Sequence, residues 1–182
     1  ELAARAITMG KEVLLHQPLE SRKDTHEAKG TLKLSMSVLE LQRKFRKSIR
    51  SIPEIVGVNN HTGSRFTENI KLMGVLMEVM RQHQLFFVDS RTTADSAAVA
   101  AAHRIGVPVV QRDVFLDHQV NTEEFERAFR SAWEIAKEQG YAILVAHPHE
   151  KSIRFLSHNL KLLEPNTLVP VSKLVNSVGL TN

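Results

Sequence analysis

Apolar runs of strand length alternate with helix-like amphipathic segments along this chain of 182 residues, and this alternation constrains the fold more than any other feature. Strands joined by helical crossovers pair in parallel, so the pattern predicts an α/β fold built on a parallel sheet. The predicted strands cover residues 12–15, 55–58, 85–88, 107–110, 141–146 and 167–169. The predicted helices cover residues 1–9, 37–51, 67–84, 95–105, 121–139, 150–163 and 171–177.

Local signals mark several ends of these elements. Ser37 and Glu40 have the spacing of a capping box at the start of a helix. Thr67, Asp95 and either Asn121 or Thr122 are the predicted N-caps of later helices, and Gly106 and Gly140 the predicted stops. Residues 16–36 predict a long polar loop, which is usually functional or disordered.

The connection pattern leaves two closures of the sheet open, a barrel or an open doubly wound sheet. A barrel would be incomplete, since the chain begins on a helix. No repeat or linker interrupts the alternation, so residues 1–182 are predicted to form one domain. The segment from His61 to Ser64 has one glycine and lacks the lysine of a phosphate loop, which disfavours a nucleotide-binding Rossmann fold.

Polar residues of catalytic type follow the predicted strands. Because parallel strands end on a shared face, and α/β folds carry their sites there, these side chains are expected to converge. The candidates are His16, Glu20, Asn59, Asn60, His61, Ser64, Asp89, Ser90, Arg112, Asp113, Asp117 and His147. Three histidines with aspartates at one face are typical of a metal-dependent or acid–base enzyme.

Each candidate also has a structural interpretation. A lone histidine such as His16 is often a hydrogen-bonding group, and Glu20 alone would be a surface charge, although together they could bind a divalent metal. Asp89 could begin a turn or orient a metal-bound histidine. Arg112 and Asp113 could form a salt bridge or a functional pair. His147 could serve as a general acid or as a ligand.

Composition excludes several functional classes. The chain has no cysteine, so disulfides, thiolate metal sites and a cysteine nucleophile are excluded. Net charge is +4, but aromatic content is 5%, and the basic cluster of residues 43–50 is interpreted as a solvated helix face rather than a nucleic-acid surface. No apolar run reaches the roughly 18 residues of a membrane span. Glu1 is not a methionine, so the natural N-terminus is expected to lie upstream.

In this order the motifs resemble the divergent polysaccharide deacetylase family, a branch of the NodB-like carbohydrate esterases. The matching segments are GKEVLLHQP (10–18), VGVNNHTGS (56–64), FVDS (87–90), DVFLD (113–117) and AHPH (146–149). The resemblance implies a deformed (β/α)7 TIM-like barrel with parallel strands, whose two N-terminal strands would precede Glu1 and are expected to be missing from this sequence. The first of these strands normally ends in an Asp-Asp pair that supplies one metal ligand and the catalytic base.

The resemblance also implies roles. His16 and His61 would be metal ligands, with Glu20 as an accessory ligand where classical members have a second histidine, and the metal would be zinc. His147 matches the late histidine that acts as general acid, and Asp89 is a further catalytic candidate. The predicted substrate-binding residues are Asn60, Ser64, Arg112 and Asp113.

Three functions remain open at this point. The first is a metal-dependent hydrolase that removes N- or O-acetyl groups from a polysaccharide or peptidoglycan-like glycan in the periplasm or cell envelope. The second is a catalytically inactive carbohydrate- or protein-binding module on the same fold, which the glutamate at position 20 favours. The third is a phosphate-handling barrel enzyme, which the missing glycine-rich loop disfavours.

Overall fold

The computed structural model describes residues 1–23 and 28–178, and of Val178 it describes the backbone alone. The chain divides into two compact units. Unit 1 comprises residues 1–111 together with the segment from residue 170 onward, and unit 2 comprises residues 112–169. One domain over residues 1–182 stays a prediction. Within residues 1–23 and 28–178, no helix combines the length and apolar character that crossing a membrane requires.

Four parallel strands form the sheet of unit 1, in the spatial order β1-β2-β3-β4. They are β1 Leu14–Leu19, β2 Gly57–Thr62, β3 Phe86–Asp89 and β4 Val109–Gln111. The predicted α/β class with parallel strands is therefore confirmed, but each of these four strands begins and ends later than predicted. Backbone pairing continues beyond each apolar run, so polar residues expected after the strands lie inside them. The predicted loop of residues 16–36 accordingly begins after β1, and its residues 24–27 lie outside the described residues.

Helices flank these strands along the chain. They are α1 Leu2–Thr8, α2 Val38–Arg50, α3 Ile70–Gln82, α4 Ala98–Ile105, α5 Thr122–Gln139, α6 Glu150–Asn159 and α7 Val171–Val178. A 3-10 helix, Leu160–Leu162, continues α6. All seven predicted helices are present, since amphipathic periodicity over two or more turns is a stronger signal than a short apolar run.

The N-cap predictions divide into two pairs. Ser37 Oγ accepts from Glu40 N at 3.3 Å, and Asn121 Oδ1 accepts from Glu124 N at 2.9 Å, as predicted. The predictions of Thr67 and Asp95 as N-caps are wrong, because the helices begin further along the chain and have Asn69 and Ala97 at their N-cap positions. The Thr67 hydroxyl instead donates to the Gly63 carbonyl at 3.0 Å, within the turn that precedes α3.

The two faces of the unit 1 sheet have different roles. Leu15, Val58 and Phe87 are neighbours in register and belong to the hydrophobic core that packs with α2, α3 and α4. Successive side chains of a strand point to opposite faces, so the residues that follow them in β1 and β2, His16 and Asn59, share the other face. The sheet therefore places polar side chains opposite its helix-covered core.

Unit 2 contains a two-stranded parallel sheet and two helices, α5 and α6. Its strands are β5 Val114–Phe115 and β6 Leu144–Val145. The sequence did not predict β5, and the predicted strand at 141–146 is shorter than expected. The predicted strand at 167–169 is wrong: Leu168 and Val169 are 60% and 53% exposed, so this apolar run is not buried in a sheet.

Gly63 is a position where the fold requires glycine. Its φ of +97° lies in the left-handed region, and an added Cβ would lie 2.8 Å from Leu19 Cβ. We expect Gly63→Ala to lower the free energy of unfolding by about 2–5 kcal/mol, combining backbone strain with overpacking. Gly106→Ala is the matched control, since Gly106 has a φ of +79° but an added Cβ would meet no atom within 4 Å. This substitution should lower the free energy of unfolding by only about 1–2 kcal/mol. Urea unfolding measures both, and equal costs would contradict the steric account.

Candidate functional site

Two histidines lie side by side on the polar face of unit 1. His16 of β1 and His61 of β2 form the histidine pair, with His16 Nε2 3.0 Å from His61 Nδ1 and the rings meeting edge to face. The two residues are diagonal neighbours on adjacent strands, which is within reach of long side chains. His16 is exposed and His61 is partly exposed. The pair is therefore accessible to solvent and to a ligand.

A chain of hydrogen bonds fixes the proton of His16. Asn59 Nδ2 donates to the Val88 carbonyl at 2.9 Å and to Ser90 Oγ at 2.7 Å, so Asn59 Oδ1 is an acceptor. His16 Nδ1 lies 2.6 Å from that oxygen and must donate to it. In the neutral imidazole the proton is then on Nδ1, and the lone pair of Nε2 points toward His61. This is the second-sphere arrangement that orients metal-ligating histidines.

The spacing of the histidine pair suits a shared divalent ion. Nitrogen ligands bind zinc at about 2.0–2.1 Å, so two of them lie about 2.9 Å apart at a right angle and about 3.3 Å apart at a tetrahedral angle. The observed 3.0 Å falls in this range. Two imidazoles with one fixed tautomer therefore fit a metal, and a bound ion would replace the proton that the two nitrogens share.

Glu20 does not extend the histidine pair. Its Oε1 accepts from Arg65 Nη1 at 2.8 Å and its Oε2 accepts from the backbone N–H of Leu34 at 2.7 Å. The carboxylate is mostly buried, with 15% side-chain exposure. Both oxygens are thus engaged by protein groups. The role of Glu20 as an accessory ligand stays a prediction that this geometry does not favour.

Ser64 lines an open polar cleft in unit 1 of about 460 Å³, whose lining does not include the histidine pair. Ser64 Oγ accepts from Arg22 N at 3.1 Å and lies 3.1 Å from Ser21 Oγ. Arg22 also pairs with Glu68 at the cleft wall, and its hydrogen bond holds the pKa of that carboxyl below the usual value. The cleft thus offers hydroxyls and an ion pair to a polar ligand.

Asp89 and Asn60 lie on the other face of the sheet from the histidine pair. Val88 is the register neighbour of Asn59, so Asp89, the next residue, points to the opposite side. Asp89 is 1% exposed, and its carboxylate accepts from Arg91 N at 2.8 Å and Ser96 Oγ at 2.7 Å. Its catalytic role stays a prediction that this orientation does not favour.

Asn60 uses its whole amide to join β2 to the segment after β3. Its Oδ1 accepts from Ser90 N at 2.8 Å, its Nδ2 donates to the Thr62 carbonyl at 2.8 Å, and the residue is 1% exposed. Ser90 Oγ adds a bond to the Asn60 carbonyl at 2.8 Å. The predicted contact of Asn60 with substrate would need these bonds to break.

In unit 2, a buried aspartate holds His147. Asp117, whose side chain is fully buried, accepts from His147 N at 2.8 Å and from Ser152 Oγ at 2.7 Å through Oδ2. Its Oδ1 lies 3.3 Å from His147 Nδ1, and the Phe115 ring packs edge to face against the imidazole at 5.1 Å between centroids. The imidazole is 48% exposed, so its orientation is set from one side and the other side is open.

His149 completes a group of three potential ligands that we call the Asp117 cluster. Asp117, His147 and His149 each offer one ligand atom, and these atoms lie within 4.8 Å of one another. Among residues 1–23 and 28–178, this is the one group of three or more such residues with that spacing. It could hold a metal ion.

Arg112 and Asp113 have structural contacts within unit 2. Asp113 Oδ2 accepts from Ile143 N at 2.7 Å, and its Oδ1 accepts from Gln139 Nε2 at 3.2 Å. The Arg112 guanidinium lies 5.5 Å from the Phe115 ring centroid, a cation–π contact. Their roles in substrate binding stay predictions.

Three supporting residues were not identified as such from sequence. Asn59 and Ser90 orient His16, and Asp117 orients His147, yet each was predicted only as one polar residue among several. The short apolar run Val-Phe-Leu at 114–116, between two aspartates, is the signal that could have indicated a buried strand ending near Asp117.

Comparison with known proteins gives consistent matches along the chain. Residues 1–175 match the profile of a family described as divergent polysaccharide deacetylase. The uncharacterized protein YibQ of Escherichia coli is 36% identical over 97% of this chain, and an uncharacterized protein of Haemophilus influenzae is 32% identical over 87%. The chain spans 56% of the length of each of these two relatives.

A solved structure supports the fold. The crystal structure of an uncharacterized protein from Agrobacterium tumefaciens C58 aligns with a TM-score of 0.86 and 28% identity, covering 94% of this chain and 71% of that one. Together with the parallel strands and the seven helices of residues 1–23 and 28–178, this match is consistent with the deformed TIM-like barrel predicted from the sequence.

Proposed function

Because the chain belongs to the divergent polysaccharide deacetylase family, we propose that it is a metal-dependent hydrolase that removes acetyl groups from a polysaccharide of the cell envelope. The observation that carries the proposal is the histidine pair, in which two imidazole nitrogens lie 3.0 Å apart and Asn59 fixes the tautomer of His16. A structural pair of histidines has no need of a tautomer fixed in this way at an exposed position.

His16 and His61 would hold the metal, for which zinc suits imidazole ligands and an open position. When bound, such an ion polarises the acetyl carbonyl and lowers the pKa of bound water. The family resemblance implies a third protein ligand, an aspartate that would lie upstream of Glu1. Asn59 and Ser90 keep the His16 ring in its ligating orientation.

His147 is assigned the role of proton donor to the leaving amine or alcohol. The Asp117 carboxylate accepts a hydrogen bond from the backbone N–H of His147 and lies beside Nδ1 of the same residue. The Nε2 edge of the ring is therefore left for proton transfer. Ser64 and the polar cleft around it would bind hydroxyl groups of the glycan. The proposed substrate is a polysaccharide or peptidoglycan-like glycan, and the proposed location is the periplasm or cell envelope.

The second candidate function is a glycan-binding module without catalysis. The specific observation in its favour is Glu20, which stands where classical members have a second histidine ligand and whose carboxylate is already bound by Arg65 and Leu34 N. A metal held by fewer protein ligands would bind more weakly. Such a module would still bind a glycan at the polar cleft.

Acetate release by the full-length protein, loaded with zinc, distinguishes the two functions. The substrates would be N-acetylated peptidoglycan-like oligosaccharides and O-acetylated polysaccharides. The proposed function predicts acetate release that a chelator abolishes and added zinc restores. Glycan binding without acetate release would contradict the enzyme and favour the binding module.

Asn59→Ala tests the orientation of the histidine pair. Removing the acceptor of His16 Nδ1 lets the ring rotate and lets the proton move to Nε2, so zinc affinity should fall about 10–100-fold. Competition with a chromogenic chelator measures this affinity. Asn159→Ala is the matched control, because Asn159 Nδ2 donates to the Phe155 carbonyl within α6 of unit 2. Equal affinities of the two variants would show that Asn59 does not orient a ligand.

A further inference from the structure

We propose that the Asp117 cluster is a second divalent-metal site, built from unit 2 alone, and that an ion bound there takes His147 out of proton transfer. Metal binding at the cluster does not depend on the function of the histidine pair. The consequence for catalysis rests on the proposed function.

Asp117 supplies a charged ligand that is already in place. Its side chain is fully buried, and the bonds to Oδ2 from His147 N and Ser152 Oγ fix the carboxylate plane. The remaining contact, from Oδ1 to His147 Nδ1, is 3.3 Å. A charge-assisted N–H···O bond is normally about 2.7–2.9 Å long, so this contact is loose. An ion placed between Oδ1 and Nδ1 would therefore replace only this loose contact.

His149 supplies an imidazole that is not used to cap its helix. It occupies the N-cap position of α6, yet its side chain makes no capping hydrogen bond. Its ring lies 5.4 Å from the His147 ring, centroid to centroid. Both histidines are exposed. An ion can thus reach the cluster from solvent. The three ligand atoms lie within 4.8 Å of one another, and small movements of His149 can bring its ring nitrogen to coordination distance of an ion held by the other two.

The donor set identifies the class of ion. Two imidazoles and one carboxylate, with a position open to solvent, suit zinc and neighbouring first-row transition metals, whereas calcium and magnesium prefer sites made of oxygen ligands. With no more than three protein ligands, of which two are exposed, the cluster is expected to release its ion readily.

An ion on the Asp117 side of His147 changes what the ring can do. Binding at Nδ1 displaces the proton from that nitrogen, and the ring keeps one proton on Nε2. The bound ion takes the place of the second proton, so the ring no longer alternates between imidazolium and imidazole. Zinc in excess of the amount that the histidine pair binds is therefore expected to inhibit acetyl release.

Zinc titration in a His61→Ala background isolates the cluster. We expect calorimetry of the full-length His61→Ala protein to show one zinc bound per chain. Adding His149→Ala should weaken this binding at least about tenfold, since even second-sphere changes cost about 10–100-fold. Adding His158→Ala is the matched control, because His158 is an exposed histidine at the end of α6 outside the cluster. Equal zinc affinity of the two double variants would overturn the second site.

Inhibition tests the consequence separately. The rate of acetyl release is compared at one equivalent of zinc and in excess zinc. Excess zinc should lower this rate at least about tenfold in the unchanged protein and much less in His149→Ala. Equal inhibition of both proteins would overturn the proposed effect on His147. Absence of acetyl release under all conditions would contradict the proposed function, while the calorimetric comparison would still decide whether the cluster binds zinc.

Discussion

His61→Ala is expected to lower acetyl release by the full-length, zinc-loaded protein about 10³-fold. The variant leaves His16 as the only member of the histidine pair, and the 3.0 Å arrangement of two ligand nitrogens is lost. Metal catalysis supplies several kcal/mol of transition-state stabilisation, and each ~1.4 kcal/mol is a factor of ten in rate. Initial rates of acetate formation at equal zinc concentration measure the effect.

Two controls accompany this variant. His103→Ala removes an exposed histidine of α4 in the same unit and should leave the rate unchanged. Urea unfolding of His61→Ala should show that the partly exposed imidazole contributes little to stability. A rate for His61→Ala within a factor of three of the unchanged protein would contradict its assignment as a metal ligand.

His147→Ala is expected to lower acetyl release from a glycan by about 10²–10⁴-fold, the usual contribution of general acid catalysis. The physical reason is that the sugar amine or alcohol is a poor leaving group until it is protonated. An activated ester such as 4-nitrophenyl acetate has a leaving group that needs no proton. On this ester the variant should lose less than about tenfold in rate.

The ratio of the two rates distinguishes proton donation from metal ligation. Loss of a catalytic metal ligand would reduce both reactions alike, because both need the polarised carbonyl. His158→Ala, an exposed histidine of unit 2, should change neither rate. An equal loss of glycan and nitrophenyl ester activity in His147→Ala would show that His147 does not act as the general acid.

Sequence reasoning could predict the histidine pair because it depended on a few robust regularities. Alternating helices and apolar runs imply parallel strands, and parallel strands bring their polar ends together. His16 and His61 meet in this way, and the register of β1 with β2 follows from burial of Leu15 and Val58. The apolar runs were enough to place both histidines at the same edge of the sheet, and burial of one face then determines which side chains share the other face.

The same reasoning could not predict which way Asp89 points. Side chains alternate along a strand, so the facing of a residue depends on the exact register of the strand. The predicted strand ended at Val88, which left Asp89 free to turn in any direction, whereas β3 includes Asp89 and directs it to the helix-covered side. An error of one residue at a strand end therefore changes the inferred role of a side chain.

Asp117 and the apolar run at 167–169 show a different limit of prediction from sequence. β5 has only two residues, which is too short for a periodic signal, so the partnership of Asp117 with His147 depends on pairing between β5 and β6. The run at 167–169 had the composition of a strand but remains exposed. Both outcomes depend on tertiary packing that no local pattern encodes.

The most direct test of the central claim is the metal content of the full-length protein by elemental analysis, after dialysis against metal-free buffer. The account predicts about one zinc or other divalent transition-metal ion per chain in the unchanged protein. It predicts almost none in His16→Ala and in His61→Ala, because the weaker Asp117 cluster loses its ion on dialysis. Metal retained in both variants, or absent from the unchanged protein even after loading, would contradict the assignment of the histidine pair.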